Sequence, residues 1–189
     1  MKSGSATFQE LRDVDLVALA KDGHGEAFAE LYRRHSDAIV AYCGRLLGDY
    51  DAANDALQAS FMRALDQLAT LKRPEAFRSW LFQIARNEAF AFLRRARRNG
   101  QADPEEIVED ATPLDQLVEL ESKQLAETML AGLKMEYREI LILREYENLS
   151  YAEIAEITGD SVSSVRARIF KARRAMARRY QCLFERRTS

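Results

Sequence analysis

Apolar residues recur every three to four positions along most of this chain, the period of helices with one buried face. Leu16, Leu19 and Ala20 begin the pattern behind Asp13 or Asp15 as a cap, and Gly23-His24-Gly25 interrupts it. A second helix is predicted by Phe28, Leu31, Tyr32, Ile39, Tyr42, Leu46 and Leu47, and Gly48-Asp49-Tyr50-Asp51 breaks it. A third runs from Ala52 to Leu68 with Leu57, Phe61, Ala64 and Leu65 on one face. Leu71-Lys72-Arg73-Pro74 reads as a loop. The fourth helix, from Glu75, carries Phe77, Trp80, Leu81, Ile84, Ala85, Phe90 and Leu93 before it ends in arginines. Most of these aromatic residues are expected in a core. From Asn99 to Pro113 the periodicity stops, and Gly100, Pro104 and Pro113 stand among acids, as in a linker. It returns at Leu114 with Leu117, Leu120, Leu125, Met129 and Leu133, then Ile140, Leu141, Leu143 and Tyr146.

The last third of the chain is the most telling. Ile154, Ile157, Val162, Val165 and Ile169 can close a small core on either side of Gly159, where one helix ends and the chain turns. Ser161 can cap the helix that follows. Ser163, Ser164, Arg166, Phe170, Lys171 and Arg174 are left exposed on it. This is a helix-turn-helix pattern whose second helix can enter the major groove. An amphipathic hairpin with a solvated basic face is the blander alternative. The expected architecture is all-α: two small helical domains, 10–98 and 114–180, joined by an acidic flexible linker at 99–113. The second domain is a helix-turn-helix bundle, and a basic tail follows at 181–189.

Length and composition agree, since 189 residues suffice for one large or two small domains and Gly and Pro are scarce. No run of about eighteen apolar residues exists to span a membrane. Met1 to Gln9 lacks the apolar core of an export signal. Cys43 and Cys182 form neither a metal motif nor a disulfide framework, so a reducing cytoplasm is the simplest home. His24 and His35 stand eleven apart with no ligands at metal spacing. There is no phosphate loop and no nucleophile elbow. No catalytic residue, metal or cofactor is therefore expected, and an enzyme is the weakest reading.

The net charge of −2 hides a strong segregation. From Ser161 onward nine basic residues, Arg166 to Arg187, face only Glu185. Arg94, Arg95, Arg97 and Arg98 form a second basic cluster, and the stretch between, Asp103 to Glu121, carries acids alone. Two cation-rich surfaces with an anionic joint suit polyanionic partners. Phe77, Trp80 and Phe82 are interleaved with Arg78, Arg86 and Asn87, a mixture that suits single-stranded DNA, where bases stack and phosphates pair with charge.

Taken together, these stretches resemble the extracytoplasmic-function sigma factors of bacterial RNA polymerase, over nearly everything from Asp15 to Arg179. The matching segments are Asp55 to Ala64, Phe77 to Asn87, Leu133 to Leu141 and the helix-turn-helix. The resemblance implies a factor that binds core RNA polymerase, docks on promoter DNA and opens it. It places Asp51, Asp55, Gln58 and Phe61 against a coiled coil of the beta-prime subunit, and names the beta flap as a further contact. The loop Thr70 to Pro74, including Lys72, would hold a base flipped from the −10 element together with Trp80 and Asn87. Arg94, Arg95, Arg97 and Arg98 would hold phosphates. Ser163, Ser164, Arg166, Phe170, Lys171 and Arg174 would meet the −35 element, and the linker would thread toward the active-site channel.

Against many relatives the polymerase-facing helix is short of acids, at Ala52, Asn54 and Ala59. One expectation is that a Ser/Thr kinase restores the charge at Ser60, since a phosphate adds roughly −1.5 to −2. The other is that Ser60 is a small surface residue, that Asp49, Asp51 and Asp55 suffice, and that an anti-sigma protein provides control. A helix-turn-helix regulator that ignores polymerase, or a sigma-like adaptor that does not initiate, is the alternative function.

Overall fold

The computed structural model describes residues 8–98 and 122–185. The expected linker at 99–113, the start of the second domain at 114–121 and the end of the tail at 186–189 lie outside the described residues. No strand occurs among those described, in keeping with an all-helical architecture. The chain divides into two compact units, residues 1–44 with 49–92, and residues 45–48 with 93–189.

Four helices shape the first unit, the last residues of the second and fourth counting with the second unit: α1 (Asp13–Lys21), α2 (Gly25–Leu47), α3 (Tyr50–Gln67) and α4 (Phe77–Arg98). Asp49 caps α3, its carboxylate accepting from the Ala52 amide at 3.0 Å. Edge-to-face rings tie the helices together. Phe61 of α3 meets Phe28 and Tyr32 of α2 at centroid distances of 6.2 and 4.6 Å. Tyr42 of α2 meets Phe82 of α4 at 5.5 Å. Leu65 departs from its expected place in the core and is 54% exposed. Successive residues turn by about 100° on a helix, so Ala64 and Leu68 take the buried stripe and Leu65 leaves it. Tyr32 is likewise more exposed than a core residue. Cys43 is buried, and burial pushes its thiol up to about 12, which keeps it from acting as a thiolate.

Asp13 does not cap α1. Arg12 occupies that position without a side-chain cap, and the Asp13 carboxylate turns inward instead. It accepts from Arg34 at 2.9 Å and meets His35 Nε2 at 2.6 Å. The His35 ring lies edge-on to Phe77, 5.4 Å away. Arg34 also donates to the carbonyls of Phe8, Gln9 and Leu11, and with Arg33 it grips Glu30 through bonds of 2.7 to 2.8 Å. Those hydrogen bonds from Arg33 and Arg34 hold the Glu30 carboxyl down to about 2, from an ordinary 4.5. The folded form is thus favoured above pH 4.5, and that share of stability is lost as the pH falls toward 2. The thermal midpoint of the native chain should therefore drop more steeply over this interval than that of Glu30→Gln, measured by circular dichroism. Parallel acid profiles for the two proteins would contradict it.

The second unit contains α5 (Ser122–Ala131), α6 (Met135–Leu141), a widened turn from Ile142 to Tyr146, α7 (Tyr151–Thr158) and α8 (Val162–Glu185). Arg138 donates to the carbonyls of Leu130 and Ala131, and Arg179 to that of Gly132 at 3.0 Å, so the end of α5 is capped by two guanidinium groups. A reciprocal capping box joins Ser150 and Glu153 at the start of α7. Gly159 ends α7 at φ +75°, a conformation that costs glycine nothing. Ser161 accepts from the Ser164 amide at 3.2 Å, as its capping position predicts. Ile140, Leu143, Ile154, Ile157, Val165 and Ile169 form the core, whereas Val162 is 41% exposed rather than buried with them. Helix α8 continues through Glu185, so the stretch expected as a tail begins inside a helix.

Candidate nucleic-acid interface

Two surfaces carry the residues that the sequence singles out. On α8 the core residues Val165, Ile169 and Ala172 fix the inward face. Ser163, Arg166, Phe170, Lys171 and Arg174 are exposed on the rest, and Ser164 is half-buried. Phe170 is 62% exposed, with the Arg174 guanidinium 5.8 Å from its ring centre. The ring and the cation together offer an apolar face and a charge to a partner. Two other arginines of this helix are already engaged. Arg168 makes a two-pronged pair with Asp160, at 2.8 and 3.1 Å, and so ties the helix to the turn before it. Arg173 bonds Glu145 at 2.6 Å. The basic composition of α8 therefore overstates the charge it presents for binding.

The second surface starts at the turns between α3 and α4. Leu68–Thr70 and Pro74–Ala76 are short 3₁₀ turns, so the expected loop is more ordered than its sequence suggests. Pro74 suits the first position of such a turn because its missing N–H needs no partner there. Leu71 is buried, which anchors the segment, while Lys72 and Arg73 remain exposed. The chain then enters α4. There Trp80, Asn87, Arg94 and Arg98 follow at intervals of seven, seven and four residues, a spacing that places them along one line of the helix. Trp80 is half-buried against Phe77, 6.0 Å away, and Asn87, Arg94 and Arg98 are exposed. Arg95 and Arg97 are exposed too, on either flank of that line. The rings of Phe82 and Phe90 serve differently, as platforms under Arg78 and Arg86 at 5.5 and 4.7 Å.

Helix α3 departs from the sequence reading at Phe61, Ser60 and Ala52. Asp51, Asp55 and Gln58 are exposed and share a face, and Met62, 69% exposed, continues it. Phe61 does not belong to that surface: it is 4% exposed and lies in the core against Phe28 and Tyr32. Ser60 is not a surface residue either. It is fully buried, and its hydroxyl donates to the Ala56 carbonyl one turn back. A kinase cannot reach it in the folded unit, so Ser60 is withdrawn as a phosphorylation candidate. The acid expected at Ala52 is likewise not missing from the exposed face, because Ala52 is buried at 2% exposure. Asn54 turns its amide to the Tyr50 carbonyl at 2.9 Å.

Sequence reasoning missed the partners of Arg34, Arg168 and Arg173. Only the Glu30–Arg33–Arg34 spacing carried a local signal, the three- and four-residue separation of helical ion pairs. Among the described residues no group of three His, Cys, Asp or Glu is placed to hold a metal, and no helix is long and apolar enough to cross a membrane. The second unit also has an open apolar groove of about 1040 Å³, lined by Leu125, Met129, Leu141, Tyr146, Met176 and Tyr180 among others.

Comparison with known proteins bears on both surfaces. Residues 31–99 match the family described as Sigma-70 region 2, and residues 123–176 match Sigma-70, region 4. RNA polymerase sigma factor YlaC of Bacillus subtilis is 34% identical over 79% of this chain and 90% of its own. The ECF RNA polymerase sigma-E factor of Haemophilus influenzae is 30% identical over 93% of this chain and 98% of its own. Among solved structures, CnrH in complex with the cytosolic domain of CnrY is similar at a TM-score of 0.69 and 25% identity, over 90% of this chain and 97% of that one.

Proposed function

Since the chain belongs to the extracytoplasmic-function sigma factors, we propose that it binds core RNA polymerase, recognises the −35 and −10 elements of a promoter and opens the duplex between them. The observation that carries this reading is the pair of surfaces just described. An exposed helix-turn-helix face reads a duplex, and a line of tryptophan, asparagine and arginines leads away from an ordered loop. The first suits base edges in a major groove. The second suits an extruded base and the phosphates beside it.

In this reading Arg166, Phe170 and Lys171 contact bases of the −35 element, and Ser163, Ser164 and Arg174 contact its backbone. Lys72, Trp80 and Asn87 take the −10 base, and Arg94, Arg95, Arg97 and Arg98 hold the strand. Asp51, Asp55 and Gln58, with Met62, face the beta-prime coiled coil, and the apolar groove of the second unit receives the beta flap. CnrH was solved with the cytosolic domain of another protein, and capture by an anti-sigma protein fits this chain better than a phosphorylated α3.

The test is transcription by core polymerase reconstituted with this chain on a pool of promoter sequences. Wild type should select one −35/−10 pair and produce discrete starts. Asp55→Lys should weaken core binding roughly tenfold, as expected for a reversed charge at an interface, while leaving binding to an isolated −35 duplex unchanged. Core binding without any transcript would support the adaptor reading instead.

A further inference from the structure

The loop before α4 does not stand alone. It rests on α1, which packs against both of its turns. At the last turn of α1 the Lys21 ammonium donates a hydrogen bond to the backbone carbonyl of Leu71, fifty residues later in the chain. That carbonyl lies between the Leu68–Thr70 turn and the exposed pair Lys72 and Arg73. The Leu71 amide bonds back to the Leu68 carbonyl at 3.1 Å, so the backbone N–H and C=O of this residue are both occupied. The Lys21 charge also suits the negative end of α1.

The opposite end of α1 is fixed as firmly. Arg34 gathers the carbonyls of Phe8, Gln9 and Leu11 and the carboxylates of Asp13 and Glu30. Asp13 then meets His35, whose ring is set against Phe77 at the first residue of α4. The loop is thus framed on one side by Lys21 at Leu71 and on the other by the Asp13–His35–Phe77 contact at its exit. None of the residues assigned to DNA above lies on α1, yet α1 packs against both turns of the loop.

We infer that Lys21 is a positioning residue for the −10 loop: through the Leu71 carbonyl it holds the segment Leu68 to Pro74 in the shape that receives the extruded base. This rests on the proposed role of that loop in promoter opening. Unstacking a base costs a few kcal/mol that contacts in its pocket must repay, and a preformed pocket keeps the whole of that repayment. A loop free to sample other shapes loses part of that repayment to ordering.

The experiment compares full-length wild type, Lys21→Met and Lys21→Arg. Met keeps the long stem and removes the donor, and Arg restores a donor. The first readout needs no DNA. Hydrogen exchange of the amides from Leu68 to Arg73 should quicken in Lys21→Met and return toward wild type in Lys21→Arg, with the first unit still melting in one cooperative transition, lowered by no more than several degrees in Lys21→Met. The second uses holoenzyme on a promoter carrying a fluorescent adenine analogue in the −10 element. Open-complex formation should slow roughly tenfold in Lys21→Met, the factor lost with one hydrogen bond from a charged donor. Its dependence on salt should match wild type, and Lys21→Arg should recover most of the rate.

Unchanged loop exchange in Lys21→Met overturns the inference whatever the holoenzyme does. A slower opening joined to a shallower salt dependence also overturns it, by assigning Lys21 to a phosphate contact instead. Faster loop exchange with normal opening would overturn the link between loop order and base capture. Failure of wild type itself to open any promoter would count against the proposed function, and the exchange data would still decide whether Lys21 holds the loop.

Discussion

Ser60→Glu is expected to unfold the first unit rather than to activate it. Ser60 has no exposed surface, and its hydroxyl is satisfied within α3 by the Ala56 carbonyl. It lies among Ala56, Leu57, Phe61 and Ala64, all buried. A carboxylate there would be drawn out of water into a stripe of buried side chains. A buried uncompensated charge costs about 3–5 kcal/mol, and the added volume costs about 1–3 more. Whole domains are stable by only about 5–15 kcal/mol. Ser60→Ala behaves oppositely. The Ala56 carbonyl keeps its helical partner, so little beyond about 1 kcal/mol is lost. Thermal melts should show a collapsed or absent transition for Ser60→Glu and one within a few degrees of wild type for Ser60→Ala. A Ser60→Glu chain that melts normally would contradict the placement of this residue. The contrast also guards a functional assay: loss of polymerase binding in Ser60→Glu would report unfolding and say nothing of charge on the polymerase face.

The burial of Ser60 is legible in the chain itself. Ser60 is three residues after Leu57 and four before Ala64, which places it on the buried stripe that those residues define. Matching by motif assigned Ser60 and Phe61 to a partner, whereas helical angle alone assigns both to the core. Where the sequence was read through periodicity, as from Ile154 to Ile169, the result was close: Gly159 and Ser161 occupy the turn and cap positions expected of them. Val162 lies on the exposed side instead of in the core, and Ser164 is half-buried instead of exposed. The line from Trp80 to Arg98 was equally legible, since a single long helix fixes the angles of its own side chains. The long-range partners were not legible. Asp13 has the composition and place of a helix cap, and nothing local says that Arg34 and His35 will claim it from more than twenty residues away. Arg168 and Arg173 counted as binding charge for the same reason, because Asp160 and Glu145 become their neighbours only when α7 and the turn before it pack on α8.

That last point separates the arginines of α8 by experiment. Arg166→Ala should weaken binding to the cognate −35 duplex about 10- to 100-fold and much less to other sequences, since one good bidentate base contact is worth about 1–3 kcal/mol. Arg174→Ala should weaken binding to all sequences alike and lower the slope of affinity against salt by about 0.9, the amount due to one phosphate. Arg168→Ala should do neither. Its guanidinium is held by both carboxylate oxygens of Asp160, so a phosphate would have to compete with a pair already made. What Arg168→Ala removes is the tie between the turn and α8, and its mark should be a lower melting temperature of the second unit. Fluorescence anisotropy with cognate and scrambled duplexes at several salt concentrations, alongside melts, measures all three variants together. A salt slope reduced by Arg168→Ala would mean that the pair with Asp160 opens on DNA. Asp160 would then act as a brake on a further phosphate contact, and Asp160→Ala should tighten binding to every sequence.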